Sequence, residues 1–177
     1  MKDLKFGVLF LLVTYLFSFP LVNYVSAQSD VEKKNGVLMS QLQLSHAGAK
    51  GDIKKRMENM KAIGAEMKRI GVIVRGRNPF DGSIVAAASE RIVLNGRGAI
   101  GLFSKKNYER PSRASPKIWR DWEEFARSMN AMVRAATVLA EAGRAGNEKA
   151  VKSGYRALGK TCSGCHRKFR ERKKRYP

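Results

Sequence analysis

Near the C-terminus the chain reads "GKTCSGCHRKFRERKKRYP", which holds Cys162, Cys165 and His166. These are the only two cysteines in the protein, and His166 is one of its two histidines. Two thiols three residues apart, with an imidazole beside the second, can do three kinds of chemistry. They can hold a metal, cycle between dithiol and disulfide, or anchor a haem.

A zinc site wants four ligands. Supplying them would take both cysteines and both histidines, and His46 lies in a weakly patterned segment far from the motif. A thioredoxin-like pair opens a helix after a strand, whereas this one falls deep in a C-terminal helical pattern. A structural disulfide at this spacing would constrain almost nothing. C-x-x-C-H is the attachment signature of c-type haem. On a helix, residues three and four apart share a face, so Cys162 and Cys165 can each form a thioether to one porphyrin. His166, four after Cys162, then offers its imidazole to the iron. The reading is one covalently bound haem c.

The elements that must position these residues are helical. Ile53, Met57, Met60, Met67, Ile70 and Val74 recur at helical spacing, with Asp52 placed to cap the start. "GRNPFDGS" breaks that helix at Gly76, Asn78 and Pro79. A second, alanine-rich helix follows Asp81 through "SIVAAASERIVLNG", and "GRGAIGLFSKKNYERPSRAS" reads as an irregular link. Ser115-Pro116 starts a third helix that carries Ile118, Trp119, Trp122, Phe125, Met129, Met132, Val133 and Ala136 to about Ala142. "AGRAGN" is a turn, and Asn147 caps a fourth helix with Val151, Tyr155, Leu158, Cys162, Cys165, His166 and Phe169 on or near one face. No stretch alternates with period two, and no repeat is visible. The expected fold is all-α, an antiparallel four-helix bundle with the haem on its C-terminal helix. "RERKKR" is a solvated basic end that suits a helix C-terminus.

The N-terminus sets the compartment. Lys2 and Lys5 precede an apolar run from Phe6 to Phe19, and small residues follow at Val25 and Ala27. This is a secretory signal peptide over residues 1–27, cleaved after Ala27. Its apolar run is short for a membrane span, so no stable span is expected after cleavage. The expected location is periplasmic, in an oxidising compartment. The remaining residues 28–177 make one domain, with enough chain for a real core. Residues 28–51 have no functional account. The chain has 177 residues and a formal charge of +20, and loss of Lys2, Asp3 and Lys5 lowers that by one. In the cytosol such charge suggests nucleic acid. In an exported chain it points to anionic proteins or surfaces, so acidic redox partners are expected and nucleic acid is not.

With these pieces in order, residues 53–172 resemble the cytochrome c-prime family. "GRNPFD" lies between helices one and two, "SPKIW" opens helix three, and "CSGCHRKFR" lies in helix four. The motif is specific for haem; its C-terminal position after the other two pieces is specific for the family. The resemblance implies a four-helix bundle, single-electron transfer or gas binding, and no substrate turnover, so not an enzyme. It implies Arg170, one turn after His166, beside the proximal histidine, and Arg56 near a haem propionate. It implies Phe103, Phe125 and Met132 as haem walls, which as ordinary core they would nearly be in any case. It places Met60 on the far side of the iron. There the family divides between a methionine-ligated, low-spin, electron-carrying branch and a five-coordinate, high-spin branch that binds nitric oxide or other small gases. "SPKIW" and "GRNPFD" resemble the first, and His/Met ligation raises a reduction potential. A methionine stripe at helical spacing is also what a plain core looks like. Members often dimerise through the first two helices, which leaves a homodimer open for this chain.

Overall fold

A computed structural model describes residues 48–172. The expected signal peptide, His46, most of the segment 28–51 and the last five residues lie outside the described residues.

Among the described residues four long helices and one short one follow in order: α1 (Gly51–Val74), α2 (Gly82–Leu102), α3 (Lys117–Arg120), α4 (Trp122–Arg144) and α5 (Glu148–Phe169). Among the described residues there is no strand, only an isolated antiparallel bridge between Ala114 and Arg170. The long helices pack in ring order α1, α2, α4, α5 as an antiparallel bundle, and the α1–α5 seam is by far the sparsest. Among the described residues no helix is long and apolar enough to cross a membrane.

Apolar burial drives the assembly. Ile70, Ile92, Ala136, Leu139 and Leu158 are fully enclosed, one or more from each long helix. Local signals set the ends. The Asp81 carboxylate accepts from the N–H groups of Ser83 and Ile84 at 2.9 and 3.1 Å, and Asn147 Oδ1 accepts from Ala150 N–H at 3.0 Å. Both satisfy donors that a helix start leaves open. Gly76 and Gly146, at φ 68° and 62°, turn the chain after α1 and α4 in the region that only glycine enters cheaply.

Four expectations are corrected. Asp52 is not the cap of α1: Lys50 holds that position without a side-chain bond. Asp52 stands in the first turn, where its charge suits the positive end of the helix dipole and faces Arg56. The buried stripe of α1 is Ile53, Arg56, Ile63, Ile70 and Ile73, with Met57, Met60 and Met67 half-buried on its flank. The second helix does not stop at Gly96 but runs to Leu102. Tertiary packing overrides the glycines there, because Gly96 lies against Met132 and Val133 of α4, and Ala99 is fully buried. The third helix is broken at Asp121 (φ −111°, ψ 46°) into α3 and α4. The sequence carries no local signal for that break. What accompanies it is tertiary: the Trp119 indole donates to the carbonyl of Phe103 at 2.7 Å.

The two ends of the bundle differ. At one, Gly82 and Gly143 touch backbone to backbone: a Cβ on Gly143 would lie 2.7 Å from Ala86 N and 2.8 Å from Gly82 O. At the other lie the start of α1, the end of α2, the start of α4 and the end of α5, and the residues singled out by the sequence gather there.

Candidate functional site

The last helix places the cysteines. Val151, Leu158 and Phe169 fix its inner face, all nearly fully buried. Cys162 is four residues after Leu158 and Cys165 seven, so both fall on that face. Both are half-buried, pack against the main core, and are free thiols. The hydroxyls between and before them turn back onto the helix: Thr161 donates to Leu158 O at 2.7 Å and Ser163 to Lys160 O at 3.0 Å.

Burial pushes both thiols up, Cys165 to about 11 with the neighbouring Cys162 adding to the effect. A redox-active C-x-x-C works by the opposite shift, with a thiolate held at low pKa. His166 as a whole is exposed. The protein around its ring, and then the charges of Arg170 and Arg113, push its pKa below the usual histidine value. The ring is therefore neutral near pH 7, the form that ligates a metal. Among the described residues no three His, Cys, Asp or Glu side chains gather as a metal site.

A strap closes the end of α5. Ser115 N–H donates to Phe169 O at 3.0 Å, and Glu171 N–H to Arg113 O at 2.8 Å. The Arg113 guanidinium donates to Glu171 O through Nε at 3.0 Å and Nη2 at 2.7 Å. The helix end that would otherwise expose unpaired carbonyls is thus tied to the linker before α3. Arg170 leaves the helix here, exposed, with its N–H on His166 O at 3.2 Å.

Aromatic rings enclose the same end. Phe125 meets Phe103 at 5.0 Å between centroids, Trp122 at 5.7 Å and Phe169 edge-on at 5.5 Å. Met132, two turns along α4 from Phe125, is buried against Gly96 of α2. Among the described residues Arg56 is the one buried charged side chain, 4% exposed. Its Nε donates to Leu102 O at 2.6 Å, Nη2 to Lys105 O at 2.7 Å, and Nη1 to Asn107 O. Its plane lies over Phe103 at 4.7 Å and near Trp119 at 5.4 Å. Carbonyls and ring faces together compensate the buried charge, and burial still lowers its pKa. The task visible for Arg56 is to hold the α2–α3 link. Met60, one turn further along α1, is half-buried and packs against the core that also receives Cys162 and Cys165.

These residues fit a covalently held haem. Two protonated thiols sit one turn apart on a buried face, a neutral imidazole stands beside them, aromatic rings wall the end, and α5, which carries the thiols, packs far more sparsely on α1 than on α4. Reasoning from sequence did not single out Arg113 or Trp119 for this end. Phe169 was legible on the motif's own face. Arg113 was not, since its partner is 58 residues away.

Comparison with known proteins agrees. A profile described as Cytochrome C' matches residues 52–170. The chain is 33% identical to "Cytochrome c-556" of Agrobacterium tumefaciens (strain B2A), over 70% of this chain and 99% of that one. It is 29% identical to "Cytochrome c'" of Pararhodospirillum photometricum, over 67% and 95%. Its fold superposes with a TM-score of 0.64 on a ferrous, nitric oxide-bound variant of cytochrome c prime from Alcaligenes xylosoxidans, at 21% identity over 69% of this chain and 94% of that one. The chain belongs to the cytochrome c' family, and is a monohaem c-type cytochrome with covalently attached haem c.

Proposed function

We propose that this cytochrome is an exported carrier of single electrons in its family's methionine-ligated, low-spin branch. Cys162 and Cys165 hold the haem by thioethers, His166 is the proximal ligand and Met60 the distal one. The haem supplies a one-electron couple; the chain binds it, sets its axial ligands and keeps water from its faces. Phe103, Phe125 and Met132 wall the ring. Arg170 lies beside the proximal histidine, and Arg56 stays near a propionate while it anchors the Leu102–Asn107 link. The reading includes no substrate turnover, and it places the protein in the periplasm with acidic proteins as redox partners.

The observation that carries it is the position of Met60. It lies on α1 across the sparse seam from α5, half-buried, against the same core as the two cysteines. A thioether there is the distal counterpart of His166, and His/Met ligation suits electron transfer by raising the potential.

A second reading has support in the nitric oxide-bound relative, whose fold this chain shares. In it the iron is five-coordinate and Met60 only packs. Visible spectra of the oxidised and reduced holoprotein decide. A low-spin spectrum with the methionine–iron charge-transfer band, lost in Met60→Ala, is the expected result. A high-spin spectrum with fast, tight carbon monoxide binding would move the function to gas binding.

A further inference from the structure

The charges of this cytochrome are unevenly spread. On α4 the three basic residues Arg127, Arg134 and Arg144 are equalled in number by the acids Glu123, Glu124 and Glu141. On α2, Glu90 stands beside Arg91, with Arg97 further along. On α1 six basic residues are interrupted by Asp52, Glu58 and Glu66. On α5, Glu148 in the first turn is the only acid; after it come Lys149, Lys152, Arg156, Lys160, Arg167 and Lys168.

Five of those cations form a line. Lys149, Lys152, Arg156, Lys160 and Arg167 follow at intervals of three, four, four and seven residues, which keeps them on one face. That face is opposite Val151, Leu158 and Phe169, the buried one. The line is about 27 Å long at the rise of an α-helix. Lys149, Arg156, Lys160 and Arg167 are exposed and pair with no acidic side chain among the described residues. Lys152 pairs with Glu148 at 2.6 Å. Between the cations stand small residues: Ser153, Ala157, Ser163 and Gly164. A Cβ at Gly159 or Gly164 would meet nothing within 4 Å. Long cations separated by small residues let another surface approach the backbone that carries Cys162 and Cys165.

We infer that the outer face of α5 is the docking surface for an acidic protein, the redox partner that the electron-carrier reading requires and on which this inference rests. A ridge of one sign focuses the field at the helix that bears the haem site, which raises encounter rates there and sets the orientation of the pair. A membrane surface fits less well. Interfacial helices insert apolar side chains, and the exposed large apolar residues, Phe80, Ile84, Leu94, Tyr108 and Val138, all lie off α5.

The test uses the full-length holoprotein and measures binding without electron transfer, so it stands whether or not Met60 ligates the iron. Poly-L-glutamate is the acidic probe, titrated at low salt into the ¹⁵N-labelled protein. Two charge-reversal variants carry the same change in net charge. One is Lys149→Glu/Arg156→Glu/Lys160→Glu on α5. The other is Lys55→Glu/Lys68→Glu/Arg134→Glu, exposed positions on α1 and α4. Expected are shift changes along 149–167, at least about a tenfold loss of affinity in the α5 variant and less than about threefold in the other. Equal losses in both, or shifts centred elsewhere, would overturn the inference in favour of a field of the whole molecule. Tighter binding of phosphatidylglycerol vesicles than of polyglutamate through the same residues would overturn it in favour of a lipid surface. Far-UV circular dichroism of both variants checks the fold, and a variant that fails it is replaced by the matching triple glutamine.

Discussion

The guanidinium of Arg56 donates to the carbonyl of Leu102 at 2.6 Å, so a residue of α1 closes the end of α2. Its other nitrogens hold Lys105 and Asn107. Arg56→Met keeps much of the volume and strands three carbonyls. We expect a loss of about 3 kcal/mol, from the cost of leaving buried acceptors unpaired, read by guanidinium denaturation of the holoprotein. Arg56→Lys should recover only part of it, because an ammonium lacks the planar fork that meets three acceptors at once. A neutral Arg56→Met would mean that the link is held by something else.

Covalent attachment at two thiols predicts a simple extraction result. Acidified acetone should remove no haem from the wild type and all of it from Cys162→Ser/Cys165→Ser. Each single variant should keep its haem with one thioether, visible as a shifted pyridine haemochrome. Release of haem from the wild type would rule out these two attachments.

Two glycine substitutions separate backbone from side-chain crowding. A Cβ on Gly143 meets the backbone of Ala86 and Gly82, which cannot give way cheaply, whereas one on Gly96 meets Met132 Cε and Val133 Cγ2, both at 2.9 Å. Gly143→Ala should cost about 2–3 kcal/mol as an overpacked core site, and Gly96→Ala about 1–2 kcal/mol, since the methionine end is flexible while the valine, stiff at χ1, gives less. Thermal melts of the two variants give the order directly, and the reverse order would be inconsistent with the packing.

Glu66 gives a pH signature. Its hydrogen bond from Arg91 at 2.9 Å, an α1–α2 contact, holds its pKa below the usual glutamate value against an opposing burial effect. A carboxylate with a depressed folded pKa stabilises the fold above its unfolded pKa, about 4.3, and that contribution is lost as pH falls through the folded value. Glu66→Gln should therefore be less stable by about 1 kcal/mol at pH 7, and the gap should close below about pH 4. A gap that persists into acid would assign the effect to packing.

The haem motif, the existence of the long helices and the cap at Asn147 were legible because each rests on residues close in sequence. The buried face of α5 was legible for the same reason. What escaped depends on contacts between distant segments. The resemblance implied Arg56 near a haem propionate, but its burial was not legible, because the loop carbonyls that receive it lie more than 40 residues away. Gly96 read as a stop, yet α4 packs against it and the helix continues. The break at Asp121 and the strap between Arg113 and Glu171 have no local signature at all. Asp52 shows the converse: the residue type was right for a helix start, and the cap position fell two residues earlier.

The contact between Gly82 and Gly143 acts on a distant place through leverage. It pins one end of α2, and the opposite end bears Leu102 and Phe103, against Arg56 and Phe125. A helix of 21 residues is a rod about 31 Å long. A tilt of about 2° at the pinned end moves the other by about 1 Å. Two hydrogen atoms, standing where other residues carry a methyl, therefore let α2 seat closely on α4, and a methyl there would displace the end that bears Phe103. A substitution at the glycine end can be read out in the spectrum of a haem it never touches.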